Sequence, residues 1–514
     1  MKKSILTNKF LTVIALVISI LVTLANLVTP IGKTHLASAD SGKKEITIFS
    51  WEDYIDLGYS FEDGDEPSEY LQGKYAKEDL EVSVIDLFMQ QNPDIKVNYY
   101  SFATNEEMYN ELLKDPYAVD IICPSEYMIM KMKEENLIQP YSMPDNYVNY
   151  GSPYIKGVFE QLGLDNGDGT TYAIGYMWGT MGLIYNAEKF EDSDFTHWSN
   201  LFDEKFKNKI TIKDSLRDSY IMAVAIVHEQ ELLEYKEKLA SHDISEQEYT
   251  NALFNIFNDV SPETVDKVRD VLVELKRNLY GFEVDAGKND LLTGKIDVNF
   301  AWSGDAVYSM WEADEAGKEL RYVVPEEGSN VWFDGWVMTK NADVESSRKF
   351  LDFVSDPAIA VRNIDYVGYT SCIAGDTVFE YVTDNFGDDQ GNIEVDLSYF
   401  FGTDKDYKVT VSDGEDGYYR HLYAQYADEP TILRCAVMDN FSPEDLQLVN
   451  EMWSEVKLIT LTDLTIILIV VGIVLIITAV VLYKYKEKIF GVKISDKERK
   501  IKKGLKIVNK ENII

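Results

Sequence analysis

An α/β fold with one C-terminal transmembrane helix is the architecture this sequence predicts, on three observations. Short runs rich in β-branched and aromatic residues alternate with stretches of helical periodicity between residues 46 and 334. Several of those runs stop abruptly on polar, Gly- or Pro-containing residues that open a helix, as strands do in an open sheet. One uncharged run of about 20 apolar and small residues, 464–483, is long enough to cross a bilayer. At 514 residues, 46% of them hydrophobic, the chain has material for one large bilobed domain or two to three smaller ones.

Residues 1–39 begin with Lys2 and Lys3, run apolar from Phe10 to Val28 and end on Leu36-Ala37-Ser38-Ala39. They read as a signal peptide cleaved after Ala39, or as an uncleaved N-terminal anchor. In the stretch 46–55, Ile46, Ile48 and Ser50 alternate with Thr47, Phe49 and Trp51 as in a buried strand, which breaks where Asp53 and Tyr54 follow. A helix over 82–91, a strand over 95–100 and a helix over 105–113, capped by Thr104 or Asn105, come next. The apolar strand 119–123 runs into Pro124-Ser125-Glu126-Tyr127 and a helix over 128–135. Residues 172–185 read as two strand runs punctuated by glycine. Strand 210–213 meets Asp214-Ser215-Leu216-Arg217-Asp218 at a helix start, and helices fill 219–280. A strand over 295–301 ends on Trp302-Ser303-Gly304-Asp305, and 321–325 leads to Val331-Trp332-Phe333-Asp334. Two acidic, Gly-containing insertions, near 58–80 and 376–425, read as surface excursions.

Charge is segregated along the chain. The formal net charge is −39, yet 1–39 carries about +4 and 484–514 about +7, which leaves roughly −50 on residues 40–460. So acidic a body excludes nucleic acid, which calls for a basic face. Asp463 bounds the apolar run on one side and Lys484, Lys486 and Lys488 on the other. The positive-inside bias then places the tail 484–514 in the cytoplasm and the body 40–460 outside a cell membrane whose lipid surrounds the single span. Cys123, Cys372 and Cys435 cannot all pair and read as buried free thiols. The five histidines lack metal-ligand spacing, and Asp165-Asn166-Gly167-Asp168-Gly169 lacks the twelve-residue calcium-loop pattern. Neither a metal nor a cofactor is expected, and the many carboxylates form no nucleophile–base pattern of a hydrolase.

One arrangement recurs: an apolar strand, then aromatic and acidic or hydroxyl residues at its exit. It appears at Trp51/Asp53/Tyr54, Ser125/Tyr127, Ser215/Asp218, Trp302 and Trp332/Asp334. Gathered in one cleft, these give an aromatic slot with carboxylates along it. Each ammonium–carboxylate hydrogen bond contributes roughly 1.5–3 kcal/mol, each desolvated cation–π contact up to about 2 kcal/mol, and each buried methylene about 0.8 kcal/mol. A linear polyamine fits such a slot; an anion would want Arg, Lys or free helix N-termini.

The residues also resemble a family. Phe49-Ser50-Trp51-Glu52-Asp53-Tyr54-Ile55, Ser101-Phe102-Ala103-Thr104-Asn105-Glu106-Glu107-Met108-Tyr109 and Asp120-Ile121-Ile122-Cys123-Pro124-Ser125-Glu126-Tyr127 are similar to stretches of the spermidine/putrescine-binding proteins of ABC importers. So are Tyr176-Met177-Trp178-Gly179-Thr180, Trp198-Ser199-Asn200-Leu201-Phe202, Trp332-Phe333-Asp334 and Val367-Gly368-Tyr369, over about 44–375 and again near 430–457. The resemblance implies a bilobed periplasmic-binding-protein (type II) fold, two α/β lobes joined by hinge strands that close on ligand. It implies an extracytoplasmic binding protein, not an enzyme, that hands polyamine to a separate ABC permease with its own ATPase subunits. By position it implies ligand contacts at Trp51, Asp53, Tyr54, Ser125, Tyr127, Asp218, Trp302, Trp332 and Asp334. Asp53, Asp218 and Asp334 would accept from ammonium groups, the tryptophans would wall the methylenes, and Ser125 and Tyr127 would add hydrogen bonds. Ser215 stands where the family often has a further acid, with Asp214 one residue earlier, and a C-terminal polar contact aligns loosely with Asp439. Trp178 and Trp198 match family positions but are assigned to packing. Two alternatives stay open, a binding protein for another organic cation and a membrane receptor sensing polyamine, though the short tail holds no output domain.

Overall fold

The computed structural model describes residues 44–62, 64–413, 417–458 and 471. The expected signal segment 1–39, the tail 484–514 and, residue 471 apart, the expected span 464–483 lie outside the described residues. Among those described, no helix is long and apolar enough to cross a membrane.

One sheet of eleven strands runs through the body. Its strands are β1 (Lys44–Trp51), β2 (Ile95–Phe102), β3 (Ile121–Ile122), β4 (Ile138–Gln139), β5 (Ala173–Asn186), β6 (Ile210–Lys213), β7 (Leu279–Glu283), β8 (Val298–Trp302), β9 (Leu320–Val323), β10 (Val331–Thr339) and β11 (Thr370–Ser371). The path is β2-β1-β3-β10-β5-β8-β6-β7, with β9 and β11 pairing β5 and β4 pairing β10. β1 buries Ile46, Ile48 and Ser50, the alternation expected of it, and pairs in parallel with β2 and β3. Helix Val84–Gln91 crosses over between β1 and β2; the Ser83 side chain caps it by accepting from the Asp86 N–H.

β5 divides the molecule into two halves and joins them. Its first half pairs β10 from Ala173↔Val337 to Thr180↔Val331. Its second half pairs β8 from Met181↔Trp302 to Tyr185↔Val298, and also β9. Two α/β lobes therefore share one fourteen-residue strand, every residue of it buried. The sequence reading of two runs here is corrected: the glycines do not interrupt the strand. They admit close neighbours, since a Cβ at Gly175 would lie 2.7 Å from Cys372 Cβ and one at Gly179 2.8 Å from the Trp332 ring.

Other differences are local. The helix expected over 128–135 starts earlier, as Glu126–Glu134, and the segment 219–280 resolves into Leu216–Val227, Glu229–Ala240, Glu246–Phe257 and Pro262–Leu275 before β7. The two acidic stretches are corrected more deeply, because both contribute to the core. Tyr59, Tyr70, Leu71 and Leu80 are buried, as are Val378, Val382, Phe400, Val411 and Leu422. Their acids face outward while aromatic and aliphatic residues between them pack inward, so overall acidity hid an amphipathic pattern. Trp178, Trp198 and all three free cysteines are buried, as expected of packing residues.

The first of these stretches is fastened by a buried ion pair. Arg362 Nε donates to Asp56 Oδ2 at 2.8 Å, and its Nη2 donates to the Val82 carbonyl at 2.7 Å. Asp56 is fully buried and Arg362 is 1% exposed. Removing one partner of such a pair strands the other charge away from water. Arg362→Met should therefore cost about 3–5 kcal/mol, read as a lowered urea midpoint; an unchanged midpoint would refute the fastening role.

Candidate functional site

The site is built around Asp334, on β10, where the register against β5 shifts between Asp334 and Gly335. That bulge turns the carboxylate toward the loop after β3, where Ser125 forms an isolated bridge with Asp334 and the Gly335 N–H donates to the Pro124 carbonyl. Tyr54 Oη donates to one carboxylate oxygen at 2.7 Å and Ser125 Oγ to the other at 2.7 Å. Asn105, at the start of helix Asn105–Lys114, donates to Ser125 Oγ at 3.1 Å and to Tyr127 Oη at 2.9 Å. Asp334 is 5% exposed. Burial pushes its carboxyl up to about 6, opposed by the two hydroxyl bonds. Beside it, burial pushes the Glu126 carboxyl up to about 8, opposed by the bond it accepts from the Phe333 N–H at 3.0 Å.

Aromatic rings wall this carboxylate. Tyr369 packs edge-on against Tyr54 at 5.8 Å and against Trp332 at 5.5 Å. Tyr369 stands in the family-like stretch Val367-Gly368-Tyr369 but is not among the expected ligand contacts. The local signal lay in Gly368, whose φ of 79° ends helix Pro357–Val367 and leads the chain into Tyr369. Trp332 Nε1 is buried with no hydrogen-bond partner among the described residues.

The other lobe brings up Asp218, Arg217 and Trp302. Ser215 Oγ caps helix Leu216–Val227 by accepting from the Asp218 N–H at 3.4 Å. Burial pushes the Asp218 carboxyl up to about 6, with the Ser215 hydrogen bond, Lys213 and Arg217 acting against it. The Arg217 guanidinium lies 4.4 Å from the Tyr127 ring and 3.7 Å from that of Phe441, so it links this lobe to Tyr127. Its Nη1 donates to the backbone carbonyl of Asp439 at 2.7 Å. The Asp439 carboxylate accepts from the N–H of Asn440. Asp214 is paired with Lys457 at 2.6 Å. Trp302, at the end of β8, carries Lys213 Nζ 4.1 Å from its ring centroid.

Tyr54, Ser125, Tyr127, Trp332 and Asp334 thus form one connected network, and Asp218 and Trp302 join it through Arg217, Lys213 and Asp305, which accepts from Tyr369 Oη at 3.1 Å. Trp51 and Asp53 lie beside it. With Tyr54, Leu57 and Tyr99 they line a recess of about 360 Å³, Trp51 resting on Phe102 at 4.8 Å and Asp53 exposed at φ 49°. Ser215 and Asp439 serve helix capping and the seating of Arg217. A separate group, His197, Glu229 and Glu327, has ligand-capable atoms within 4.8 Å of one another, brought together from positions whose sequence spacing gave no metal signal. His197 Nδ1 and Glu327 Oε1 are already 2.7 Å apart as a hydrogen-bonded pair.

Comparison with known proteins agrees with this architecture. The profile of bacterial extracellular solute-binding proteins matches residues 83–375, more than half of the chain. The spermidine/putrescine-binding periplasmic protein of Salmonella typhimurium (strain LT2) is 27% identical over 280 residues, covering 54% of this chain and 70% of that protein. A Listeria monocytogenes structure described as a spermidine/putrescine ABC transporter superposes with a TM-score of 0.56 at 26% identity, over 81% of this chain and 99% of that one. The spermidine/putrescine ABC transporter substrate-binding protein of Streptococcus pneumoniae, at 21% identity and a TM-score of 0.50, shares the fold over 81% of this chain and 99% of its own. Two α/β lobes on a shared strand form the bilobed periplasmic-binding-protein fold, and the chain belongs to the bacterial extracellular solute-binding proteins.

Proposed function

We propose that the chain binds a polyamine, spermidine or putrescine, outside the cell membrane and delivers it to an ABC permease, with its ATPase subunits, for import. The observation that carries the reading is the buried Asp334 carboxylate, gripped by Tyr54 and Ser125 and walled by Trp332 and Tyr369. An ammonium group entering there finds a charge-assisted acceptor and π faces in a dry setting, where both are worth more than in water. Asp218, at the other lobe, supplies a second acid. Contacts from both lobes let ligand hold the lobes together, which is the signal a permease can read. Trp51, Asp53 and Tyr127 would line the entry to the slot. The names of the relatives support the same cargo class. In this reading residues 464–483 tether the body 40–460 to the membrane and 484–514 face the cytoplasm.

Asp334→Asn should weaken spermidine or putrescine binding tens-fold or more in calorimetry of the full chain, with the far-ultraviolet circular dichroism unchanged. Unaltered affinity would overturn the assignment.

The pH dependence follows from the same carboxylate. Ligand needs the ionised form, so affinity should fall as pH drops through about 6, where Asp334 and Asp218 take up protons. Stability of the ligand-free protein runs the other way. The folded-state value is raised above the unfolded one, so this group's contribution is full below about pH 4 and is lost as pH rises through about 6. Asp334→Asn should then raise stability by about 3 kcal/mol at pH 7.5 and change it little at pH 4, measured by urea unfolding at both values.

A further inference from the structure

Lys213 is 1% exposed, at the end of the four-residue strand β6. Its ammonium lies 3.0 Å from Asp305 Oδ2 and 3.2 Å from Glu283 Oε1, and it donates to the Val284 carbonyl at 2.9 Å. Three acceptors match the three N–H bonds of an ammonium, so the group is held in place. It also sits 4.1 Å from the Trp302 ring centroid, inside cation–π range. The two acids have other partners as well. Glu283 accepts from the Gly287 N–H at 2.8 Å and from Asn299 Nδ2 at 3.0 Å. Asp305 accepts from Tyr369 Oη and lies 3.6 Å from Lys288 Nζ.

Resting on the polyamine reading above, we propose that Lys213 is a built-in cation that occupies the ammonium place at Trp302, so that the slot selects a diamine over a triamine. The Glu283 and Asp305 carboxylates are neutralised inside the protein and offer nothing to a third ammonium, while the fixed charge of Lys213 repels one. Ser215 gives no further acid at this end, since its hydroxyl caps a helix. Asp334 and Asp218 remain, neither of them in a close ion pair among the described residues, one for each end of a diamine; the third buried acid here, Glu126, accepts from the Phe333 N–H, and burial favours its neutral form. Trp302 then contributes apolar surface against methylenes.

Calorimetry of the full chain with putrescine and with spermidine tests this. Putrescine should bind at least ten times more tightly, and Lys213→Met should bring the ratio toward or below one by freeing Trp302 and its acids for the extra ammonium. Spermidine binding as tightly as putrescine in the unmodified chain overturns the inference, as does an unchanged ratio in a folded Lys213→Met variant. Should that variant fail to fold because Glu283 and Asp305 are stranded, Lys213→Met combined with Glu283→Gln removes one stranded charge and carries the same expectation. Binding of neither polyamine by the unmodified chain would instead overturn the cargo assignment itself.

Discussion

Asp334 lies where three segments far apart in the chain meet, and its carboxylate has to be compensated because water is kept from it. Tyr54 reaches it from the exit of β1, Ser125 from the loop after β3, and a bulge in β10 turns the acid toward both. Each of the three would be an ordinary strand-end residue alone. Together they make a buried acceptor with its hydrogen bonds already in place, and a charged guest can exploit such an acceptor without first reorganising it. The aromatic walls follow from the same meeting, since Tyr369 and Trp332 fill the space around Tyr54 that the three segments leave.

The two lobes answer each other in electrostatic terms. One lobe presents Asp334 with hydroxyl partners, and the other presents Asp218 between two internal cations, Lys213 and Arg217. Arg217 is satisfied by aromatic faces and a backbone carbonyl, and Lys213 by a pair of acids. The acidic exterior is a different matter: most ion pairs there are exposed and contribute little to stability. The charges with defined partners and little water around them are the few the fold has buried.

Features with a local cause were legible in the sequence. The alternation of β1, the Thr104 cap of helix Asn105–Lys114 and the apolar strand β6 depend on neighbours in the chain, and pattern alone locates them. The positions of Trp51, Trp302 and Asp53 at or just past strand ends were legible too, because the change from an apolar run to polar residues is local. What escaped depended on distant contacts. Gly175 and Gly179 look like breaks until Cys372 and Trp332 are seen pressed against them. The stretch 376–425 looks like a solvated excursion until Phe400 stacks on Trp178 at 5.4 Å. The helix cap made by Ser215 and the bond from Arg217 to the Asp439 carbonyl were not legible either, because side-chain type is visible in a sequence and hydrogen-bond partners are not. Lys213 carries no sequence signal for burial, since a lysine at a strand end ordinarily points to water.

The β5–β10 ladder is interrupted at the very peptide that carries Asp334, and those two strands run through the junction of the lobes. A bulge bends and twists the strand that carries it, so Asp334 is presented from a kink in the ladder a few residues before β5 passes from β10 to β8. In the proposed function, an ammonium held by Asp334 would then rest on the backbone distortion that aims the acid, so anything that straightened β10 would also withdraw the acceptor.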